Sequence, residues 1–343
     1  MSAAHLYSTQ QSRNLIRAER AMLRHAGAIE VLGQFGDNRE QPLNQTDTIM
    51  FRRLNPWNMR ANGTPDIAVK DFVLQEGVNP QVNRISYTDV PTTLAQYGVL
   101  FGFSSKVQLM YEDDVPADMS KLTGETLAEV AEMIRYGQLR GGINVIYATG
   151  TSRAQVTGKI NLPMLRLAAR TLEDARARMV TSKLSAGASY DTSAIEPGYL
   201  VFCHTNCTAD IRDLPGFVPC TKYASGAKVH AREIGAVEDF RFISSPLFRP
   251  WLGAGGANAG MVSTGANVDV YPFIVAAQDA WGQVALKGKG AIKPVVLPAT
   301  TVSHANVLGQ MGYVGAQFWT AVVRLNENWM VRLEAGVSRL AAA

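Results

Sequence analysis

Residues able to do chemistry are few and scattered along this chain. Cys203-His204-x-x-Cys207, with Cys220 and His230 further on, could be drawn around a zinc ion. The set lacks the usual two-residue knuckle spacing, and three free, buried or half-buried thiols account for the same residues. Glu112, Asp113 and Asp114 form a small acidic cluster, which solvation and the dipole of the following helix explain without a metal. His5, His25, His204, His230 and His304 are dispersed, with no Ser or Cys placed beside any of them. Gly282 to Gly290, GQVALKGKG, misses the phosphate-loop spacing by one, and no Ser or Thr follows Lys289. Gly253, Gly255 and Gly260 do not have dinucleotide-loop spacing, and no buried strand precedes them. No G-x-S-x-G elbow and no paired-histidine zinc helix occurs. The expectation is a chain with no catalytic, cofactor-binding or metal-binding residues, and so not an enzyme.

Composition narrows the class. At 343 residues the chain allows two domains or one large one, and 47% hydrophobic residues suffice for a core. The net charge of +4 is spread out, without the basic block of a nucleic-acid binder. No apolar run has membrane-spanning length, and the start, MSAAHLYSTQQSRN, lacks a hydrophobic signal core. Three cysteines cannot all pair, so the expectation is a reduced protein in a cytoplasm-like compartment.

The elements are organised around Ser120 to Tyr147. Leu127, Val130, Ala131 and Ile134 recur at helical steps, and Gln138 continues the stripe. Asp118, Ser120 and Thr123 are candidate N-caps, and Glu125, Glu129 and Glu132 suit the early turns. Gly141-Gly142 predicts a kink or break. A second helix is predicted from Asn161, as cap, through Pro163 to Gly187, with Leu165, Ala168, Ala169, Leu172 and Met179 inward. Arg166, Arg170, Glu173, Asp174, Arg176 and Arg178 form its wet face, with Asp174 and Arg178 paired.

Around these lie strands and extended chain. Ser12 to Leu32 is a weakly amphipathic helix, read equally as an arm and as a peripheral helix. Strands are expected at Thr48 to Leu54 and Leu94 to Lys106, with a long loop from Asn55 to about Thr93 between them. Pro197 to Cys203 reads as a buried strand, Ala227 to Leu247 as one or two, and Gly253 to Asp269 as a mobile loop. Late strands are VYPFIVAA, AQFWTAVVRL and WMVRLEAGV, the last two joined by a hairpin turn at Asn326 to Asn328.

The order of weak arm, strand, long loop, strand, long helix, mixed domain and late strands resembles the tailed-bacteriophage major capsid proteins, the Hong Kong 97-like fold. DTIMFRRLNPW, LQEGVNP, TTLAQYGVLFGFS, VYPFIVAAQDAWGQVAL and LGQMGYVGAQFWTAVVRLNENWMVRLE are similar to the coat-protein branch typified by the podophage N-four. The resemblance implies an α+β fold. It places an N-terminal arm at 1–47, an extended-loop hairpin at 48–106 and a peripheral domain with the spine helix at 107–184. An axial domain would fall at 185–250, with late strands at 251–343 returning to the peripheral domain. It implies self-assembly through hexamers and pentamers into an icosahedral head enclosing double-stranded DNA, made in the host bacterial cytoplasm and kept in the virion. Partners would be further copies, portal, scaffolding and cement proteins, and non-specific DNA, without a membrane. The alternatives are an encapsulin-like compartment of the same fold and an unrelated α/β enzyme.

Overall fold

A computed structural model describes residues 30–55, 72–74, 76–77, 79, 82, 84–110, 114–180, 197–222, 228–288, 292–302 and 306–340. The arm helix expected from Ser12 falls largely outside them, and Leu32–Gln34 form a 3-10 turn. The strands are β1 Asp37–Gln41, β2 Thr48–Leu54, β3 Tyr87–Thr93, β4 Ala95–Ser104, β5 Val145–Tyr147, β6 Tyr199–Cys203, β7 Val218–Pro219 and β8 Glu233–Val237. They continue with β9 Phe240–Ser244, β10 Ser263–Thr264, β11 Asn267–Val268, β12 Tyr271–Ala276, β13 Trp281–Leu286, β14 Lys293–Leu297, β15 Met311–Arg324 and β16 Met330–Ala335. The chain divides into two compact units.

The first unit comprises Met1–Ile49, Thr92–Arg135 and Gln283–Val322. Its sheet runs β1-β13-β15-β14, with β4 also paired to β15. The apolar stripe of the long helix Val115–Arg140 covers one face of this sheet. Leu127 and Ala131 pack on Ala316 and Phe318, with Val130, Ile134, Tyr97, Val99 and Ile292 around them. Tyr97 stacks on Phe318 at 5.7 Å.

The helix starts earlier than expected. Asp114 caps it, taking the Ala117 N–H on Oδ1 at 3.4 Å and the Asp118 N–H on its carbonyl at 3.2 Å. Ser120 and Thr123 are buried inside the helix and donate back to the carbonyls of Pro116 and Met119. Gln138 is exposed, and Tyr136 and Leu139 are the buried side chains of the last turns. Gly141-Gly142 ends the helix, the break expected there, and Val145–Tyr147 beyond it is strand β5.

The second unit comprises Met50–Pro91, Tyr136–Gly282 and Val323–Ala343. Its sheet runs β5-β16-β12-β6-β9-β8-β7. β6 and β12 are buried at every residue, which explains their unbroken apolar runs. This sheet combines β6, β8 and β9, from the stretch expected to be axial, with the late strands β12 and β16.

Helix Leu162–Asp174 packs Leu165, Ala168 and Leu172 on Tyr199, Phe240, Phe242, Phe273 and Leu333. Asn161 caps it as predicted, accepting the Met164 N–H at 2.9 Å. It stops well short of Gly187, which lies outside the described residues. Arg176 takes a left-handed φ of 53°. The Ala177 N–H reaches back to Leu172 O and the Arg176 N–H to Glu173 O, a Schellman stop made without glycine. Arg176 and Arg178 are therefore beyond the helix, and Asp174 and Arg178 are not an i,i+4 helical pair.

Three other expectations are corrected. Tyr87–Thr93 is a strand paired with β2, within the stretch expected as loop, whereas β4 pairs with β15. YTDVPTT alternates in exposure, and its proline is tolerated because each strand of a two-stranded ribbon is an edge. Gly253 to Asp269 is tied down: buried Asp269 accepts N–H from Gly253 at 2.7 Å and Thr264 at 3.1 Å, and the Thr264 hydroxyl at 2.9 Å. Gly255 is small because a Cβ there would lie 2.5 Å from Val156 O. Asn326 to Asn328 is no hairpin, since β15 and β16 belong to different sheets; Asn326 caps a 3-10 turn instead.

Candidate interaction surfaces

The residues first considered for chemistry do not converge. Cys203 and Cys207 are fully buried, and loss of solvation pushes both thiols well above their ordinary range. Cys220 donates to Glu233 O. The His204 ring lies 5.5 Å from Tyr271, and burial lowers its pKa. Among the described residues no three His, Cys, Asp or Glu side chains are grouped to hold a metal. Asp114 serves the helix terminus; Glu112, Asp113, His5, His25 and His304 lie outside the described residues. No helix among the described residues is long and apolar enough to cross a membrane.

What the described residues do display is surface that they leave exposed among themselves. The face of β4-β15-β14 opposite the long helix is apolar and open. Cross-strand register sets Leu100, Gly315 and Val295 in one row and Gly102, Tyr313 and Leu297 in the next. Leu100 is 67% exposed and Val295 56%. Glycine flattens this face: a Cβ on Gly315 would meet Leu100 Cδ1 at 2.8 Å, and the Tyr313 ring lies beside Gly102. The sequence pattern missed the face because β15 alternates Met311, Tyr313, Gly315 and Gln317 outward, mixing small, polar and apolar types.

The β2–β3 ribbon is a second such surface. Met50, Leu54, Ile85 and Tyr87 are exposed, and Phe51 alone in the ribbon is fully covered. Arg52 grips Asp89 through two bonds of 2.8 and 3.0 Å. This bond raises the arginine pKa and holds the aspartate below the usual carboxylate range. Thr48 and Thr93 meet at 3.3 Å, and Thr88 donates to Asn55 at 2.8 Å. Polar cross-strand pairs, rather than a core, hold the ribbon.

A third feature is the docking of residues 30–35 in the first unit. Val31 and Leu32 are fully buried, and Arg135 binds Glu30 at 2.6 Å and Gln283 at 2.7 Å. Gln283 in turn donates to Gly33 O and to Asn38.

The described residues form an α+β framework that carries an open apolar face and a ribbon surface. No family model matches the sequence. The fold resembles the capsid of Ralstonia phage GP4, with a TM-score of 0.63 and 11% identity, covering 90% of this chain and 88% of that one. It also resembles the capsid structure of cyanophage P-SCSP1u, with a TM-score of 0.56 and 14% identity over 90% and 89% of the two chains. The class is thus the phage-capsid, Hong Kong 97-like fold. In sequence, the chain is 23% identical over 288 residues to the major capsid protein of Pseudomonas phage KPP21, covering 77% of this chain and 72% of that protein. The chain is thus similar in sequence to a phage major capsid protein and shares the fold of solved phage capsids. Neither a cargo compartment nor an enzyme is among these three.

Proposed function

We propose that this chain closes on copies of itself, as hexamers and pentamers, into an icosahedral head around double-stranded DNA, and that it has no catalytic role. The observation that carries the proposal is the open face of β4-β15-β14, whose Leu100, Val295, Leu297 and Tyr313 stay exposed among the described residues of their unit. Contiguous apolar surface of this kind marks a protein contact. The long helix backing that face would be the spine of a peripheral domain around 107–184, and the β2–β3 ribbon with the chain between would be the extended loop of 48–106. Residues 1–47 would form the arm and 185–250 the axial domain, completed by β12 and β16 from the late segment 251–343. Many moderate contacts suit a shell, since each remains weak enough to correct during assembly.

Portal, scaffolding and cement proteins would meet the shell from outside this chain. DNA would be held without sequence readout, consistent with a net charge of only +4. The test is expression of the full chain, with and without a scaffolding partner, followed by light scattering and electron microscopy. Closed shells are expected; a species that stays monomeric across concentration and salt under both conditions overturns the proposal.

A further inference from the structure

In the second unit, Trp251 lies between two guanidinium groups. Arg140 Cζ is 3.8 Å from the ring centre and Arg153 Cζ is 3.6 Å from it. Two groups that close to one centroid cannot share a face, so the indole is sandwiched. Arg332 Cζ is 5.4 Å away. Buried Glu334 serves two of these arginines: Arg153 binds both its oxygens, at 2.7 and 2.8 Å, and Arg332 binds Oε1 at 2.8 Å. Arg332 also donates to the carbonyl of Arg140.

Arg140 is left over. Among the described residues its guanidinium meets the faces of Trp251 and, at 5.8 Å, Tyr136; Glu334 attracts it from a distance but hydrogen-bonds only to Arg153 and Arg332. Three guanidiniums against one carboxylate leave two positive charges in excess at a half-buried place. Burial opposes the charge on Arg140, and repulsion from Arg153 and Arg332 adds to this, yet a guanidinium cannot discharge at ordinary pH. Stacking fixes the group flat with its N–H donors directed outward in its own plane, the geometry that takes a carboxylate through two parallel bonds. A duplex backbone would call for several protruding cations along its length, and here the other two arginines are already engaged by Glu334.

We propose that Arg140, held on Trp251, is a socket for one Asp or Glu carboxylate of a second copy of this chain. The inference rests on the shell reading and names one contact within it. The test uses Arg140→Lys, which keeps the charge and offers an amine. Shells are assembled from equal parts of ordinary and 15N-labelled R140K chains, then treated with a water-soluble carbodiimide. The expected product is a covalent dimer joining the residue-140 peptide to an Asp or Glu peptide, with about half of the joined pairs isotopically mixed. Links confined to single copies, or no link, overturn the proposal.

Arg140→Gln provides the second readout. A chain with unchanged circular dichroism should need about tenfold more protein to assemble, as for loss of a buried charged contact. R140Q shells that form at the wild-type threshold but retain less DNA would assign the socket to phosphate and overturn it. A wild-type chain that builds no shell under any condition would overturn the function itself, whereas normal R140Q shells together with R140K shells that give no link between copies overturn this contact alone.

Discussion

Glu132 accepts the backbone N–H of Leu32 at 2.9 Å, across 100 residues of chain, and that of Val31 at 3.2 Å. Its other oxygen has no hydrogen-bond donor among the described residues, and Arg135 comes only to 3.6 Å. Loss of solvation holds this carboxyl above the usual range, more than the two N–H bonds and Arg135 pull it down. The folded protein therefore binds the proton more tightly than the unfolded chain. Stability from this group declines as pH rises from the ordinary carboxylate value through the raised one. Glu132→Gln should abolish that decline while keeping an acceptor for the two N–H groups. Glu132→Ala should cost about 1–3 kcal/mol, because both are left unpaired. Urea unfolding from about pH 4 to pH 8, with hydrogen exchange at residues 31 and 32, checks both.

Gly282 lies under the Phe51 ring, where a Cβ would come 2.9 Å from Cζ and 3.3 Å from Leu325 Cδ1. Gly282→Ala should cost about 1–3 kcal/mol through overpacking. Thermal unfolding measures the loss, and Gly282→Ala combined with Phe51→Leu should recover part of it.

On the open sheet face, Leu100→Asn with Val295→Asn should leave the subunit within about 0.5 kcal/mol of wild type, because both side chains already face water. Shell formation should be lost. Circular dichroism together with sedimentation separates these outcomes; normal shells would remove this face from the contacts.

Arg176 pays the left-handed penalty at the Schellman stop, with φ at 53°. Arg176→Gly should stabilise by about 0.5–1 kcal/mol, relief of the Cβ clash being partly offset by added freedom in the unfolded chain. A rise in melting temperature is the readout; a fall would mean that the exposed arginine makes a contact of its own.

The three thiols should be silent toward a disulfide reagent in the native protein and titrate fully after denaturation. Cys203 and Cys207 are wholly buried and Cys220 nearly so, and burial suppresses the two former thiolates. Colorimetric titration before and after guanidinium settles it.

The legible parts of the fold were those where one local pattern sufficed. The stripe Leu127-Val130-Ala131-Ile134 found its sheet, Asn161 and Pro163 marked a helix start, and the unbroken apolar runs of β6 and β12 marked buried strands. Pattern failed where distant partners decide. Glu132 reads as a surface acid until residues 31 and 32 are placed on it. Arg176 ends a helix that periodicity would continue, since its φ depends on backbone bonds rather than on side-chain type. Tyr87–Thr93 was hidden by Pro91, and the glycines of 253–260 suggest looseness although Gly255 is small because backbone crowds it. The open face of β4-β15-β14 became visible only when register aligned residues some two hundred positions apart.

β15 lies between β4 and β14, and β16 lies between β5 and β12, so each of the two large sheets has an interior strand drawn from residues 311–335. On the ribosome those strands emerge after every other member of their sheets. A nascent or prematurely terminated chain thus lacks an interior strand of both sheets and, without Tyr313 and Gly315 of β15, has no finished open face to offer. Translation itself thereby acts as a quality check, withholding partial copies from any growing lattice.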